Sequence, residues 1–463
     1  MNLSNHPFLA RVVSLLAATL FLSSCGGGGD IESDSSSSTT SATEAPVNSL
    51  GKASILEERV INNRLIELTI ATSSFAEPTQ VLVNLPEGYT TQKAWPLTFY
   101  LAGTNHTYKS FNEIYGGEEL VVDYPSIVVS PNGKSGYWSD WYSNGAEGAP
   151  RYETYLIQEL LPLIENRFST IRLRQGRAIL GESMGGYGAL MIASRHPDLF
   201  AAAASVSGTV NTNLIPNATV LSASPVIDGA APDSIYGPRA TEEVRWRGHN
   251  PFDLAENLRT LALWVGTADG LVHDPSIGET AIDQAGCGVE FGVSTASISL
   301  HERLLELGVD HTWRHFGAGC HSVPNFRRQI KEVLTFFQQT FAAANPAPRK
   351  LDHSAVEATF SVWNWSIQAE RSRPLEFLTF KDASASGLTL SGSGLTQVTS
   401  PPFFPGIDQI AVEGGIPAFV KPDAEGRIQF SVDLGAPNAG QQYRPTSSTQ
   451  VKTVTVNFRP STR

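Results

Sequence analysis

Short, wholly apolar runs alternate with helical stripes across residues 55–343, and few folds accommodate that pattern. Residues 97–101 end at Ala102-Gly103, and residues 126–129 end at Ser130-Pro131-Asn132-Gly133. Residues 177–180, 201–206, 261–265 and 312–316 read as further strands. A strand apolar along its whole length has both faces covered, the condition of a parallel sheet. Helices stand between these strands. Tyr152, Leu156, Leu160, Ile164 and Phe168 recur every four residues, with Pro162 predicting a kink. A second helix runs from Met184 to about His196, where Pro197 stops it. A third covers residues 297–307 and ends at Gly308. The last carries Phe326, Ile330, Val333, Leu334, Phe337 and Phe341 on one face. Leu65, Ile66, Leu68 and Ile70, then residues 81–85, open the unit as an antiparallel meander. The expected architecture is α/β, a mostly parallel sheet with helices on both faces, over residues 51–344. Residues 209–247 interrupt it with an irregular stretch too long for an ordinary connection, read as an inserted lid.

The chain's 463 residues exceed one such core, and its two ends read differently. In residues 1–25, Arg11 precedes an apolar run over residues 12–22, the length of a signal-peptide core and too short to span a bilayer. The run ends in Leu22-Ser23-Ser24-Cys25, which resembles a bacterial lipobox; that resemblance implies cleavage before Cys25 and lipidation of its sulfur. Residues 26–50, rich in Gly, Ser and Thr, form a solvated tether with little to bury. The expectation is an exported protein, lipid-anchored to the bacterial envelope (outer membrane or periplasm-facing), in an oxidising compartment. Residues 345–358 read as a linker. In residues 359–463, Ile428, Phe430, Val432 and Leu434 alternate, as do Val454, Val456 and Phe458, which predicts a small all-β, sandwich-like C-terminal domain. A formal net charge of -12 argues against nucleic acid as a partner.

Gly181-Glu182-Ser183-Met184-Gly185 follows one expected strand and opens the next helix. The G-x-S-x-G pattern at such a junction makes a sharp turn that lifts a serine hydroxyl to the sheet edge. It also aims the Met184 N–H, at a helix N-terminus, toward a developing oxyanion. A serine needs a base, and His321 follows the last strand in Gly317-Ala318-Gly319-Cys320-His321. His311 and His315 lie within that strand and read as structural. The acid that orients the histidine is expected directly after the strand at 261–265, which selects Asp269, with Asp274 as the rival five residues on. The second oxyanion donor is expected from the loop after residues 97–101, at the N–H of Thr104 or of Gly103.

Together these residues resemble the esterase branch of the α/β-hydrolases that includes esterase D, acetyl xylan and feruloyl esterases and the mycolyltransferases. Asn84-Leu85-Pro86-Glu87-Gly88-Tyr89, Tyr137-Trp138-Ser139-Asp140-Trp141-Tyr142, Tyr152-Glu153-Thr154-Tyr155 and His249-Asn250-Pro251 extend the likeness. The resemblance spans roughly residues 81–341. It implies an α/β-hydrolase fold, Ser183 as nucleophile, His321 as base, Asp269 as acid, and Thr104 and Met184 as oxyanion donors. The implied reaction is two-step acyl transfer through an acyl-enzyme, with no cofactor or metal. An aspartate where mycolyltransferases use a glutamate, and Ala102 and Thr104 around the oxyanion glycine, favour hydrolysis over mycolyl transfer.

Trp138, Trp141 and Tyr142 lie on a loop where they either stack on an acyl group or sugar or pack the loop to the core. Trp363 and Trp365, at alternate positions of one expected strand, raise the same question. Cys287 and Cys320 are expected to pair in an oxidising compartment, fixing the His321 loop, with two free thiols as the alternative. The leading expectation is a serine esterase acting on carbohydrate acetyl or feruloyl esters, or on simple carboxylic esters. Acyl transfer and non-catalytic polysaccharide binding are the other readings. Oligomeric state is not legible.

Overall fold

The computed structural model describes residues 53–143, 150–280, 283–343, 346–370, 372–444 and 448–460. The leader, the tether, Cys25 and Asn345 lie outside the described residues. Nine strands form one sheet: β1 (Ser54–Val60), β2 (Leu65–Ala71), β3 (Thr79–Asn84), β4 (Leu97–Leu101), β5 (Ile127–Pro131), β6 (Arg177–Glu182), β7 (Ala202–Val206), β8 (Ala262–Thr267) and β9 (Thr312–His315). Their order is β1-β2-β3-β5-β4-β6-β7-β8-β9. The first three and the β3–β5 pair are antiparallel, and β5 through β9 are parallel. Every residue of β4, β5, β6 and β7 is buried, which is why those runs lack polar alternation.

The long helices are α1 (Met184–Arg195), α2 (Ile215–Ala223), α3 (Arg239–Gly248), α4 (Gln284–Leu307) and α5 (Val323–Ala342). α1 is buried along nearly its whole length, in the middle of the fold. α5 lays Phe326, Ile330, Val333, Leu334 and Phe337 on the opposite sheet face, against Tyr100, Val128 and Leu180. Pro162 stands at the start of the α-helical segment Leu161–Arg167. The turn before it, Tyr155–Leu160, is π-helical and absorbs the break in hydrogen bonding that a proline ring imposes.

Two expectations about extent change. The helix expected over residues 297–307 begins at Gln284, capped by the Asp283 side chain on the Ala285 N–H at 3.1 Å. Its first turns carry Gly286, Gly288 and Gly292, which weaken helix propensity and disguise it as a loop. The insertion at 209–247 is ordered and largely helical, containing α2 and α3.

The C-terminal unit is all antiparallel. One sheet runs β10 (Leu351–Ala355), β13 (Leu378–Ser384), β14 (Gly387–Gly392), β19 (Lys452–Pro460), β16 (Ile410–Glu413) and β17 (Ala418–Val420). The other runs β11 (Thr359–Val362), β12 (Trp365–Ala369), β15 (Leu395–Thr399) and β18 (Gln429–Asp433). Trp365, Ile367, Phe380, Leu390, Phe430 and Phe458 fill the space between them. β10 lies in the stretch read as a linker, so the unit starts earlier than residue 359. Trp363 and Trp365 do not share a strand face. Trp363 and Asn364, with φ of 50° and 64°, form the two-residue turn between β11 and β12. Trp365 is core, while the Trp363 ring sits under the Arg174 guanidinium and its backbone N–H donates to Asp198 Oδ2 at 3.0 Å.

That turn docks on the α/β unit, and other contacts join it. The Asn257 side chain donates to the carbonyls of Ser194 and Ser354, both at 2.9 Å, and accepts from the Ser354 N–H. Arg195 pairs with Glu153 and with Glu357 of the C-terminal unit, both at 2.8 Å. Arg444 donates to the Thr241 carbonyl of α3 at 3.0 Å, and Tyr443 lies under Arg247.

Candidate active site

The site forms where β6 turns into α1. Ser183 has φ 55° and ψ −120°, a strained conformation for any residue with a side chain. The surroundings hold it there. Its N–H donates to the Val206 carbonyl at 2.9 Å. Gly185 passes so close to β4 that a Cβ on it would lie 1.8 Å from the Leu101 carbonyl oxygen. The motif's small residues are thus a packing requirement of the turn.

His321 Nε2 lies 2.8 Å from Ser183 Oγ. The ring's other nitrogen, Nδ1, lies 2.8 Å from Glu290 Oε2. Glu290 projects from α4 and its side chain is fully buried. Its second oxygen, Oε1, accepts from Ser207 Oγ at 2.7 Å, Ala268 N at 2.8 Å and Thr267 Oγ1 at 3.0 Å. Three donors on one oxygen compensate the desolvation of a carboxylate and leave Oε2 to the imidazole. With Nδ1–H donating to Glu290, Nε2 presents its lone pair to the serine hydroxyl, the tautomer that a general base requires.

Asp269 does not hold the position expected of it. Its Oδ1 accepts from the Leu271 N–H at 2.8 Å, closing the turn after β8, while the Nδ1 of His321 faces α4. Asp274 is no substitute. It pairs with Arg328 at 2.9 Å and caps a short helical turn through Ser276. Sequence reasoning passes over Glu290 because its glycine-rich helix reads as a loop. A signal was present all the same: Cys287 and Cys320 are disulfide-bonded, and they are the third residue before Glu290 and the residue before His321. A pairing expected from the sequence therefore already placed the 290 region beside the histidine. The His321 loop is further held by Glu279, which accepts from the Cys320 N–H at 3.0 Å and from the Ser322 hydroxyl.

Opposite the histidine, β4 ends in Ala102-Gly103-Thr104. The Gly103 N–H is engaged by Glu182 Oε1 at 2.6 Å, which leaves Thr104 as the donor from this loop. Met184 is the first residue of α1, where an N–H has no helical partner. Neither N–H donates to an acceptor among the described residues. Trp138 and Trp141 are buried, with indoles donating to the Ala102 and Gly136 carbonyls at 3.2 Å and 3.1 Å, so both pack the loop. Tyr142 is exposed, with Arg245 over its ring.

A parallel sheet with antiparallel lead-in, a strained serine between strand and helix, and a histidine on the last loop define an α/β-hydrolase. The chain matches the family described as Putative esterase over residues 72–337 and belongs to it. It is 29% identical over 267 residues to Esterase Rv1288 of Mycobacterium tuberculosis, covering 56% of each chain. It is 28% identical over 230 residues to the diacylglycerol acyltransferase/mycolyltransferase Ag85B of Mycobacterium leprae, covering 45% of this chain and 67% of that one. The chain therefore spans just over half the length of the first of these relatives. Among solved structures, MPT51 of Mycobacterium tuberculosis superposes with a TM-score of 0.50 at 19% identity, over 59% of this chain and 97% of that one.

Proposed function

We propose that the protein is a serine carboxylic-ester hydrolase working through an acyl-enzyme. The observation that carries this reading is the unbroken chain from Ser183 Oγ through His321 to Glu290, both links at 2.8 Å. In the first half-reaction His321 Nε2 takes the Ser183 proton as Oγ attacks the ester carbonyl carbon. The carbonyl oxygen becomes an oxyanion held by the Thr104 and Met184 N–H groups. Glu290 stabilises the imidazolium, which then gives its proton to the leaving alcohol as the carbon–oxygen bond breaks. In the second half water repeats the attack, His321 again serving as base, and the acid is released with Ser183 restored.

Carbohydrate acetyl or feruloyl esters and simple carboxylic esters are the proposed substrates. Export and lipid anchoring through Cys25 are part of the same proposal, and the Cys287–Cys320 disulfide supports an oxidising compartment. Acyl transfer to an alcohol stands as the second reading. The glutamate at 290 removes one of the residue differences that set this chain apart from mycolyltransferases, and the likeness to Ag85B favours it further.

The test is turnover of p-nitrophenyl acetate, methyl ferulate and acetylated xylan by the purified chain, with Ser183→Ala as control. Serine-dependent release of acid in water supports hydrolysis. Ester formation that dominates when an acceptor alcohol is added supports transfer. Activity retained by Ser183→Ala overturns both.

A further inference from the structure

The peptide unit joining Ala102 to Gly103 is pinned at both ends. Its carbonyl oxygen accepts from the Trp138 indole N–H at 3.2 Å, and its N–H donates to Glu182 Oε1 at 2.6 Å. We infer that Glu182 and Trp138 are positioning residues that hold the oxyanion loop in its working orientation, an inference that rests on the esterase reading above.

The reasoning is geometric. Between this peptide plane and the Thr104 N–H lie only the two backbone dihedrals of Gly103, the residue type freest to rotate. A loop with a free glycine there would sample many directions for the Thr104 N–H. An oxyanion donor is effective only when it is already aimed before charge develops. Fixing the preceding plane removes most of that freedom. The loop also lies directly on the nucleophile: a Cβ on Gly103 would be 3.1 Å from Glu182 Oε1 and 3.2 Å from Ser183 Cβ. Glu182 thus ties the strand that bears the serine to the strand that bears the donor.

Both anchors are themselves fixed. The Glu182 side chain is fully buried and also accepts from the Tyr100 hydroxyl at 2.6 Å, with His106 Nδ1 at 2.9 Å. Burial and the neighbouring carboxylate push the Tyr100 hydroxyl far above the ordinary phenol range, so it stays a donor. These donors screen a negative charge that would otherwise oppose the oxyanion. Trp138 is wedged between two glycines: a Cβ on Gly188 would lie 2.5 Å from its ring, and one on Gly133 2.3 Å. Its backbone φ of 57° further fixes its direction.

The experiment compares Glu182→Ala, Glu182→Gln, Trp138→Phe and the Glu182→Ala/Trp138→Phe pair with the parent full chain on p-nitrophenyl acetate. An alkyl boronic acid serves as the transition-state analogue. Glu182→Ala is expected to lower kcat by about ten- to a hundredfold with KM changed by less than about twofold, the signature of a group acting through the oxyanion hole. The boronate Ki rises by the same factor as kcat/KM falls. Glu182→Gln keeps an acceptor for the Gly103 N–H and recovers most of the loss. The Glu182→Ala/Trp138→Phe variant is less impaired than the product of the singles, because both release one peptide plane. Should Glu182→Ala not fold, Trp138→Phe, which removes the other anchor, decides the matter through kcat and boronate affinity. Unchanged kcat and boronate affinity in the folded variants, with Ser183→Ala inactive, overturn the positioning role alone. An active Ser183→Ala overturns the esterase reading beneath it.

Discussion

Glu290 and His321 meet at 2.8 Å although 31 residues separate them, and the disulfide between Cys287 and Cys320 ties together the same helix and the same loop. The two side chains are thus held by a hydrogen bond and a covalent bond one helical turn apart.

Glu290→Gln is expected to lower kcat on a p-nitrophenyl ester by about 10³–10⁴, because an amide cannot stabilise the imidazolium or enforce its tautomer. Asp269→Asn, which touches only the turn at Leu271, stays within about twofold of the parent. Steady-state kinetics of the two variants side by side check the assignment, and the reverse ranking would restore Asp269.

Replacing both Cys287 and Cys320 by serine opens a loop of 33 residues. The chain-entropy cost is about 3–4 kcal/mol of stability. Thermal unfolding with and without reductant should show the parent falling to the variant's midpoint only when reduced. Activity should fall with it, since the His321 loop loses its tie to the helix bearing Glu290.

Acid should weaken the junction between the two units. Burial, with Arg195 nearby, pushes the His249 imidazole down to about 4, and burial with His196 and Arg195 pushes His353 down to about 3. Unfolding returns each to about 6.5. Between those values the unfolded chain binds more protons, so this stability is intact above about pH 6.5 and is lost as pH falls toward 4. Each group contributes roughly 3 kcal/mol across that window. Burial would raise the Glu153 carboxyl, but Arg195 and His196 outweigh it and hold it low, which adds a loss below about pH 4.5. Urea midpoints at pH 7 and pH 4.5 measure the slope. His249→Asn, which can still donate to the Arg245 carbonyl as Nδ1 does, should flatten it.

Asn257→Ala removes three hydrogen bonds spanning Ser194 and Ser354. Stranding those buried backbone groups costs about 2–3 kcal/mol. Limited proteolysis should then cut faster near residues 346–350. An unchanged cleavage rate would show that the Arg195–Glu357 pair suffices to hold the units together.

Local chemistry in the sequence carries the parallel sheet, the strained serine turn, the histidine after the last strand and the β-rich C-terminal unit. Apolar runs, helical stripes and a glycine-packed turn are properties of adjacent residues, and each is readable within a dozen positions. The identity of the acid is of another kind. Asp269 occupies a position that chain order makes plausible, yet its carboxylate closes its own turn. Glu290 wins because a helix with three glycines packs under the histidine, and because Ser207, Thr267 and Ala268 supply donors to its far oxygen. The fates of Trp138 and Trp363 were open for the same reason, since whether an indole meets a ligand, a carbonyl or another domain depends on distant chain. The sequence by itself determined most of the elements and singled out Ser183 and His321. Only the tertiary structure decided which carboxylate, which peptide N–H and which aromatic rings serve them, because burial and hydrogen-bond partners are set by residues far apart in the chain.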